Sequence, residues 1–184
     1  MTWSDQRPDD AMAGAFEAVA PEPVKTVEPA LFRDAMSRLG AAVHVVTTAG
    51  PAGKRGFTAT SVCSVSDQPP TLLVCLNRRS AGGPIFRENG VFCVNTLNAE
   101  AANIADLFAG RSGTPKDEGL TGAAWTALAT GSPVLTTAVV AFDCRVIEIK
   151  VVASHNVIFG AVEAVHFGPV SPALVYHDRA YKKV

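Results

Sequence analysis

The sequence lacks the features that assign many proteins to a class at first sight. Its 184 residues carry a formal net charge of −1, so its bulk charge favours neither nucleic acid nor an anionic membrane as a partner. No apolar run approaches the length of a membrane span, and the N-terminus lacks the basic-then-apolar pattern of a leader peptide. The length predicts one domain with a substantial core, and we expect it to be cytoplasmic.

Most short catalytic and metal-binding motifs are also missing. The chain contains no GxGxxG, GxxxxGK[ST], HExxH or GxSxG segment, and its four histidines lack the spacing of a zinc site. A hydrolase or metalloenzyme would therefore need residues scattered through the fold, and no metal site is predicted. The cysteines lie in apolar, strand-like runs without a CxxC pair, which is typical of small core residues in a reduced protein. They are Cys63, Cys75, Cys93 and Cys144.

The chain divides into a tail and one domain. Residues 1–28 are rich in proline and acidic residues and show no hydrophobic period, which predicts a flexible N-terminal tail. A helix should begin at Pro29 and end near Gly40. We therefore expect the folded domain to span 29–184.

Strand patterns dominate that domain. Six or seven strands, few helices and no alternation of strand with helix predict a mainly β protein with a closed antiparallel barrel. The apolar positions alternate from Val140 to Val146 and then slip by one from Ile147 onward. A slip of one residue inside a long strand predicts a β-bulge.

Around Gly56–Asn77, a strand is predicted over Phe57–Ser66, followed by a break at Asp67–Pro70 and a second strand over Thr71–Leu76. Small side chains and hydroxyls dominate the first of these strands. They would let a flat ligand lie close to the backbone and would supply hydrogen-bond donors. The residues alone fit an edge strand with a polar face equally well.

Two further polar features are candidates for a site. The loop Asn77–Ser80 carries two arginines and a hydroxyl, which could hold a phosphate with help from loop amides, or could simply be solvated. His155 is predicted to lie at a turn between two long strands. It is the best acid or charge partner in the chain, although a lone histidine is more often structural.

Taken in order, several segments resemble the flavin-reductase-like split-barrel family, the NAD(P)H:flavin oxidoreductases that serve two-component monooxygenases. The matching segments are Phe32–Met36, Val45–Thr48, Gly56–Ser61, Ser64–Ser66, Pro69–Pro70, Val94–Leu97, Leu107–Phe108, Gly131–Leu135, Phe142–Arg145, Leu174–Tyr176 and Tyr181. Within that family, four segments look most like the FMN reductases of the pyrimidine-utilisation (Rut) pathway. They are Gly40–Val43, Gly50–Gly53, Gly56–Ala59 and Pro70–Asn77.

The resemblance implies a Greek-key, FMN-binding split barrel with a few short helices. It also implies an NAD(P)H-dependent FMN reductase that supplies reduced flavin to a partner monooxygenase, with pyrimidine degradation as the implied pathway. FMN is the implied flavin, with FAD or riboflavin left open, and NADH or NADPH is the hydride donor. Family members are usually homodimers.

The same resemblance implies the site residues. His155 would meet the nicotinamide nucleotide as the catalytic residue. Many members read Gly-Asp-His where this chain reads Ala153-Ser154-His155, so any contact made by that aspartate has no counterpart here. The implied cofactor-binding residues are Thr58, Ala59, Thr60, Ser61, Val62, Cys63, Ser64, Cys75, Leu76, Asn77, Ser80, Asn95, Tyr176 and Tyr181.

The sequence is also compatible with two other classes of function. The barrel could bind flavin or haem without turnover, as related split barrels do. It could also be a structural subunit that only docks a monooxygenase. Spectra of the pure protein together with an NADH assay would separate these alternatives.

Overall fold

The computed structural model describes residues 25–113, 118–121 and 124–184. Three α-helices lie in this part of the chain: α1 (Pro29–Ser37), α2 (Gly83–Asn89) and α3 (Ala102–Ala109). The twelve strands of the same part are β1 (Ala41–Ala42), β2 (His44–Gly50), β3 (Gly53–Ala59), β4 (Val62–Asp67), β5 (Pro70–Asn77), β6 (Val91–Thr96), β7 (Trp125–Ala127), β8 (Pro133–Leu135), β9 (Val140–Val152), β10 (His155–Phe167), β11 (Leu174–His177) and β12 (Ala180–Lys183).

Seven strands form one antiparallel sheet in the order β3-β2-β6-β9-β10-β5-β4. Its two edge strands, β3 and β4, are joined by only Thr60 and Ser61. This connection spans about 11 Å when fully extended, so the sheet has to curl until its edges approach each other at this corner. The predicted mainly β split barrel is confirmed, but the expected closure of the sheet is wrong, because β3 and β4 do not pair with each other. Strands β1, β11 and β12 form a separate small sheet, and β7 pairs with β8.

Two hydrophobic cores lie on opposite faces of the curled sheet. Neighbouring residues of β2 illustrate the division, because Val45 belongs to one core and Val46 to the other. The barrel core contains Val46, Phe57, Ala59, Leu72, Val74, Leu76, Phe86, Phe92, Val94, Cys144 and Ile158. The outer core, which includes residues of α3 and β8, contains Val43, Val45, Cys93, Leu97, Ala101, Ala105, Phe108, Leu120, Val134, Leu135, Ala138, Ala141 and Leu174.

The predicted single strand Phe57–Ser66 is wrong. Strand β3 ends at Ala59, and β4 begins at Val62 after the two-residue corner. The small residues that suggested one polar strand instead allow the chain to leave one sheet edge and enter the other. Thr58 therefore lies on a different strand from Ser64.

The predicted bulge in β9 is confirmed. Phe159 pairs with Glu148, and the next residue, Gly160, pairs with Val146, so Ile147 is the extra residue. Of the predicted tail, only 25–28 lie within the described residues, without helix or strand. Along the described ranges, no helix is both long and apolar enough to cross a membrane.

The four cysteines are free thiols in different surroundings. Cys93 and Cys144 are buried, as expected for core residues, and burial raises the pKa of the Cys144 thiol to about 12. Cys75 is partly buried, whereas Cys63 is exposed on β4, so the expectation of a core position is wrong for Cys63.

Candidate active site

One end of β5 gathers three of the features that the sequence singled out. The amide of Cys75 donates to the carbonyl of Ser61 at 3.1 Å, which places the β3–β4 corner beside β5. On the other side of β5, Asn77 pairs with His155 at the start of β10. The corner, the loop after β5 and His155 therefore form one group, which we call the β4–β5–β10 site.

The β4–β5–β10 site offers small polar side chains to solvent. Thr60, Ser61, Cys63 and Ser64 are exposed, and Asn77 is exposed beside them. Strand β4 is also an edge of the sheet, so its outer backbone groups have no neighbouring strand to bind. A flat ligand with hydrogen-bonding groups along one edge fits such a strand. Val62, Cys75 and Ser80 are partly buried within the same group.

The loop after β5 uses its own amides internally. Among the described groups, the N–H of Arg79 donates to the side-chain oxygen of Asn77 at 2.9 Å, and that of Ser80 donates to the carbonyl of Asn77 at 2.9 Å. The amides of Gly82 and Gly83 both donate to Ser80. These four amides therefore already have partners within the loop. Guanidinium and hydroxyl groups are the donors that the loop leaves available.

Two residues near this loop were missed by sequence reasoning. A Cβ atom at Gly82 would lie 3.1 Å from Cγ of Arg55, so the Arg55 side chain of β3 passes close to the loop. A Cβ atom at Gly83 would lie 3.9 Å from Nδ2, the side-chain amide nitrogen of Asn156. Arg55 is distant in sequence, and only the curled sheet brings it near. Asn156 could have been suspected from its position next to His155.

His155 is held by its neighbours on both sides of β10. It pairs with Asn77 of β5 and with Val152 of β9. Its Nδ1 atom lies 2.9 Å from Oγ of Ser154, within hydrogen-bonding distance. His155 is partly buried, so it retains some surface that a ligand can reach.

Asn95 does not belong to this group. Its side chain has no exposed surface. The side-chain nitrogen of Asn95 donates to the carbonyl of Val45 at 3.1 Å, and its side-chain oxygen accepts from the backbone N–H of Leu135 at 2.7 Å. Asn95 ties β2, β6 and β8 together inside the outer core, so its expected role as a cofactor contact is wrong.

Three further expected contacts are restricted by their side-chain positions. Ala59 and Leu76 are 8% and 3% exposed and point into the barrel core, which leaves only their backbone for a ligand. The hydroxyl of Thr58 donates to the carbonyl of Ala105 on α3 at 2.6 Å. Thr58 therefore anchors α3 to β3, and its donor is not directed to a ligand.

Tyr176 and Tyr181 lie in the small sheet and pack against the outer core. Their rings meet edge to face with centroids 5.7 Å apart. The hydroxyl of Tyr181 donates to Asp106 of α3 at 3.1 Å, and burial with this bond raises the pKa of Tyr181 to about 12. The described side-chain contacts of both tyrosines are with each other, with α3, with Arg111 and with the outer core, and none of these belongs to the β4–β5–β10 site.

Comparison with known proteins decides the family. The flavin reductase like domain family matches residues 36–184 of this chain. The chain belongs to this family. It is 48% identical over 168 residues to the FMN reductase (NADH) RutF of Methylorubrum extorquens, covering 91% of this chain and 81% of that protein.

Solved structures of flavin reductases share the fold. A putative flavin reductase from Haemophilus somnus superposes with a TM-score of 0.81 at 45% identity, covering 86% of this chain and all of that one. The flavin reductase component of a bacterial two-component tryptophan halogenase, BorF, gives 0.79 at 29% identity, with coverage of 85% and 98%. This chain is therefore similar over most of its length to a flavin reductase component of a two-component system.

Proposed function

We propose that this protein is an NADH-dependent FMN reductase that supplies reduced FMN to a separate monooxygenase in the cytoplasm, within pyrimidine degradation. The curated relative with 48% identity carries the name FMN reductase (NADH) RutF. The observation that carries the proposal is the meeting of the β4 edge, the loop after β5 and His155 at one end of β5.

The residues of the β4–β5–β10 site fit FMN in size and chemistry. Exposed hydroxyls at Thr60, Ser61 and Ser64 and the free edge of β4 suit the flat ring with its amide-like edge. Ser80 and Arg79 suit the phosphate, because both are polar donors in one loop and the Arg79 side chain is exposed to solvent. Bound FMN would supply an acceptor for the hydride of NADH, and this chain supplies the positions of the two molecules.

His155 is the candidate catalytic residue of the chain. It is the only histidine beside the loop Asn77–Ser80 among the described residues. An imidazole N–H at this position would donate to the nicotinamide nucleotide or to negative charge that develops at the flavin. Its role is to orient and to stabilise charge, which affects the nicotinamide nucleotide more than the flavin.

A homodimer is the assembly that we propose for the reductase. Helix α1 has no buried residue. Its apolar side chains Leu31, Phe32 and Met36 are 60%, 56% and 46% exposed, an apolar face that soluble proteins usually cover. A second copy of this chain would cover it.

Steady-state assays with NADH or NADPH and with FMN, FAD or riboflavin test the function directly. We expect rapid NADH oxidation only when FMN is present. Absence of NADH and NADPH oxidation with all three flavins would contradict the proposed reductase activity. Flavin or haem absorbance without turnover would favour a binding module instead.

The histidine is tested by His155→Ala. We expect kcat/KM for NADH to fall by about ten- to a hundred-fold, whereas the Kd for FMN changes less than three-fold, because only the donor to the nicotinamide nucleotide is lost. The matched control is His177→Ala, since His177 is exposed at the end of β11. Equal losses in NADH use and FMN binding would show that His155 does not have this role.

A further inference from the structure

The turn between β9 and β10 holds an unusual backbone conformation. Only Ala153 and Ser154 separate Val152 from His155. Ala153 has φ 48°, in the left-handed region that non-glycine residues seldom occupy. Such a conformation persists where surrounding contacts enforce it.

Arg78 supplies those contacts. Its backbone N–H donates to the carbonyl of Ser154 at 3.0 Å, and its guanidinium donates to the carbonyl of Ala153 at 3.4 Å. The loop after β5 thus fixes the turn from one side, and the pairing of His155 with Asn77 and Val152 fixes the strand that follows. Ser154 therefore has a defined position relative to the imidazole.

The fixed turn brings the hydroxyl of Ser154 to one of the two imidazole nitrogens of His155. Oγ of Ser154 and Nδ1 of His155 are 2.9 Å apart. A hydroxyl can donate or accept, and a neutral imidazole carries its hydrogen on one nitrogen only. The direction of this hydrogen bond therefore decides whether Nε2 is a donor or an acceptor.

We propose that Ser154 is a positioning residue whose hydroxyl donates to Nδ1 of neutral His155 and so keeps the hydrogen on Nε2. The inference rests on the proposed role of His155. In this tautomer Nε2–H can donate to an oxygen of the nicotinamide nucleotide, whereas the opposite tautomer would present a lone pair there. A neutral hydroxyl achieves this arrangement, but a carboxylate cannot, because it only accepts hydrogen bonds.

The tautomer is measured directly by long-range ¹H–¹⁵N NMR of the imidazole rings in the flavin-free protein, at a pH where His155 is neutral. The His155 signals are assigned by their loss in His155→Gln. We expect the Nε2–H form in the parent protein and in Ser154→Thr, a mixture in Ser154→Ala and the Nδ1–H form in Ser154→Asp. A parent protein in the Nδ1–H form, or a tautomer unchanged by Ser154→Ala, overturns the proposal.

Kinetics separate this role from a structural one. In Ser154→Ala we expect KM for NADH to rise about five-fold, the loss that one ordinary hydrogen bond produces, with KM for FMN within two-fold of the parent. Ser154→Thr should restore the parent values. The control is Thr136→Ala, which removes a hydroxyl bond to the carbonyl of Ala124 near the opposite end of β10.

The outcomes also distinguish this inference from the proposed function. If KM values for NADH and FMN rise equally in Ser154→Ala, or if Ser154→Thr does not rescue it, the positioning role is wrong while the reductase remains. If the parent shows no NADH oxidation, the proposed function fails, and the tautomer spectra still report on the Ser154–His155 bond.

Discussion

His44 is a buried histidine whose neutral imidazole is favoured over the charged form in this fold. It is 9% exposed, and its Nδ1 lies 3.1 Å from Oγ1 of Thr96. Loss of hydration on burial lowers the pKa of His44 from 6.5 to about 4. The unfolded chain therefore binds a proton between pH 6.5 and 4, and the folded chain does not.

The free energy of unfolding should consequently fall as the pH is lowered through this window. From the linkage relation we expect a loss of about 2 kcal/mol between pH 7.5 and pH 5 from this residue. Urea unfolding at both pH values measures the difference, and His44→Gln should reduce it. His177→Gln is the surface control and should leave it unchanged. A parent protein with the same pH dependence as His44→Gln would contradict the prediction.

At the level of single residues, chemistry was readable from the sequence but burial was not. Asn95 and Asn77 have the same side chain, and both follow an apolar run. The structure encloses Asn95 completely and leaves Asn77 exposed beside His155. Which side chain meets a ligand depends on contacts with residues far away in sequence, such as Leu135.

The β9–β10 pair contains the bulge and, directly after it, a glycine that faces the barrel core. Gly160 directly follows the shift in register opposite Ile147. A Cβ atom at Gly160 would lie 2.4 Å from Cζ of Phe92 and 2.9 Å from Cβ of Cys144. The aromatic ring of Phe92 can cross this strand only because a glycine is present there.

Gly160→Ala should therefore destabilise the protein by about 1–3 kcal/mol, since both neighbours are buried and packed. The control is Gly40→Ala, whose added Cβ would meet its nearest neighbour, Cγ1 of Val175, at an ordinary 3.7 Å. Urea unfolding of both variants gives the comparison. A neutral Gly160→Ala would mean that the barrel core can rearrange around the methyl group.

Elements whose apolar residues recur with a clear period were predictable from the sequence. The bulge in β9 followed from a slip in alternation, because side chains of a strand alternate between faces with period two. The corner at Thr60 and Ser61 was not predictable, since small polar residues fit both a continuous strand and a bend. The corner lies there because β3 and β4, which are consecutive in sequence, form opposite edges of the same curled sheet.

For the whole molecule, α1 is attached to the domain mainly through polar contacts. Arg179 forms an ion pair with Asp34, and the N–H of Asp178 donates to the carbonyl of Ser37 at 2.6 Å. These contacts hold one side of the helix against the β11–β12 turn. The exposed apolar face is the part that we propose a second copy covers.

Phe32→Glu should therefore weaken the proposed homodimer at least ten-fold, because a carboxylate would be buried against apolar side chains. Sedimentation velocity over a range of concentrations measures the dimer Kd. The control is Arg33→Gln, which changes the net charge by the same amount on an exposed residue of the same helix. A parent protein that is monomeric at all concentrations would contradict the assembly.

The sequence by itself determined the strand-rich class, the bulge and the chemical character of the site, because alternation and residue type are local properties. Only the tertiary structure decided which of the small and polar residues around Gly56–Asn77 share one surface. Pairing across β4, β5 and β10 joins Ser61, Asn77 and His155, and burial removes Asn95. Both results depend on how a curled sheet places segments that are distant in sequence.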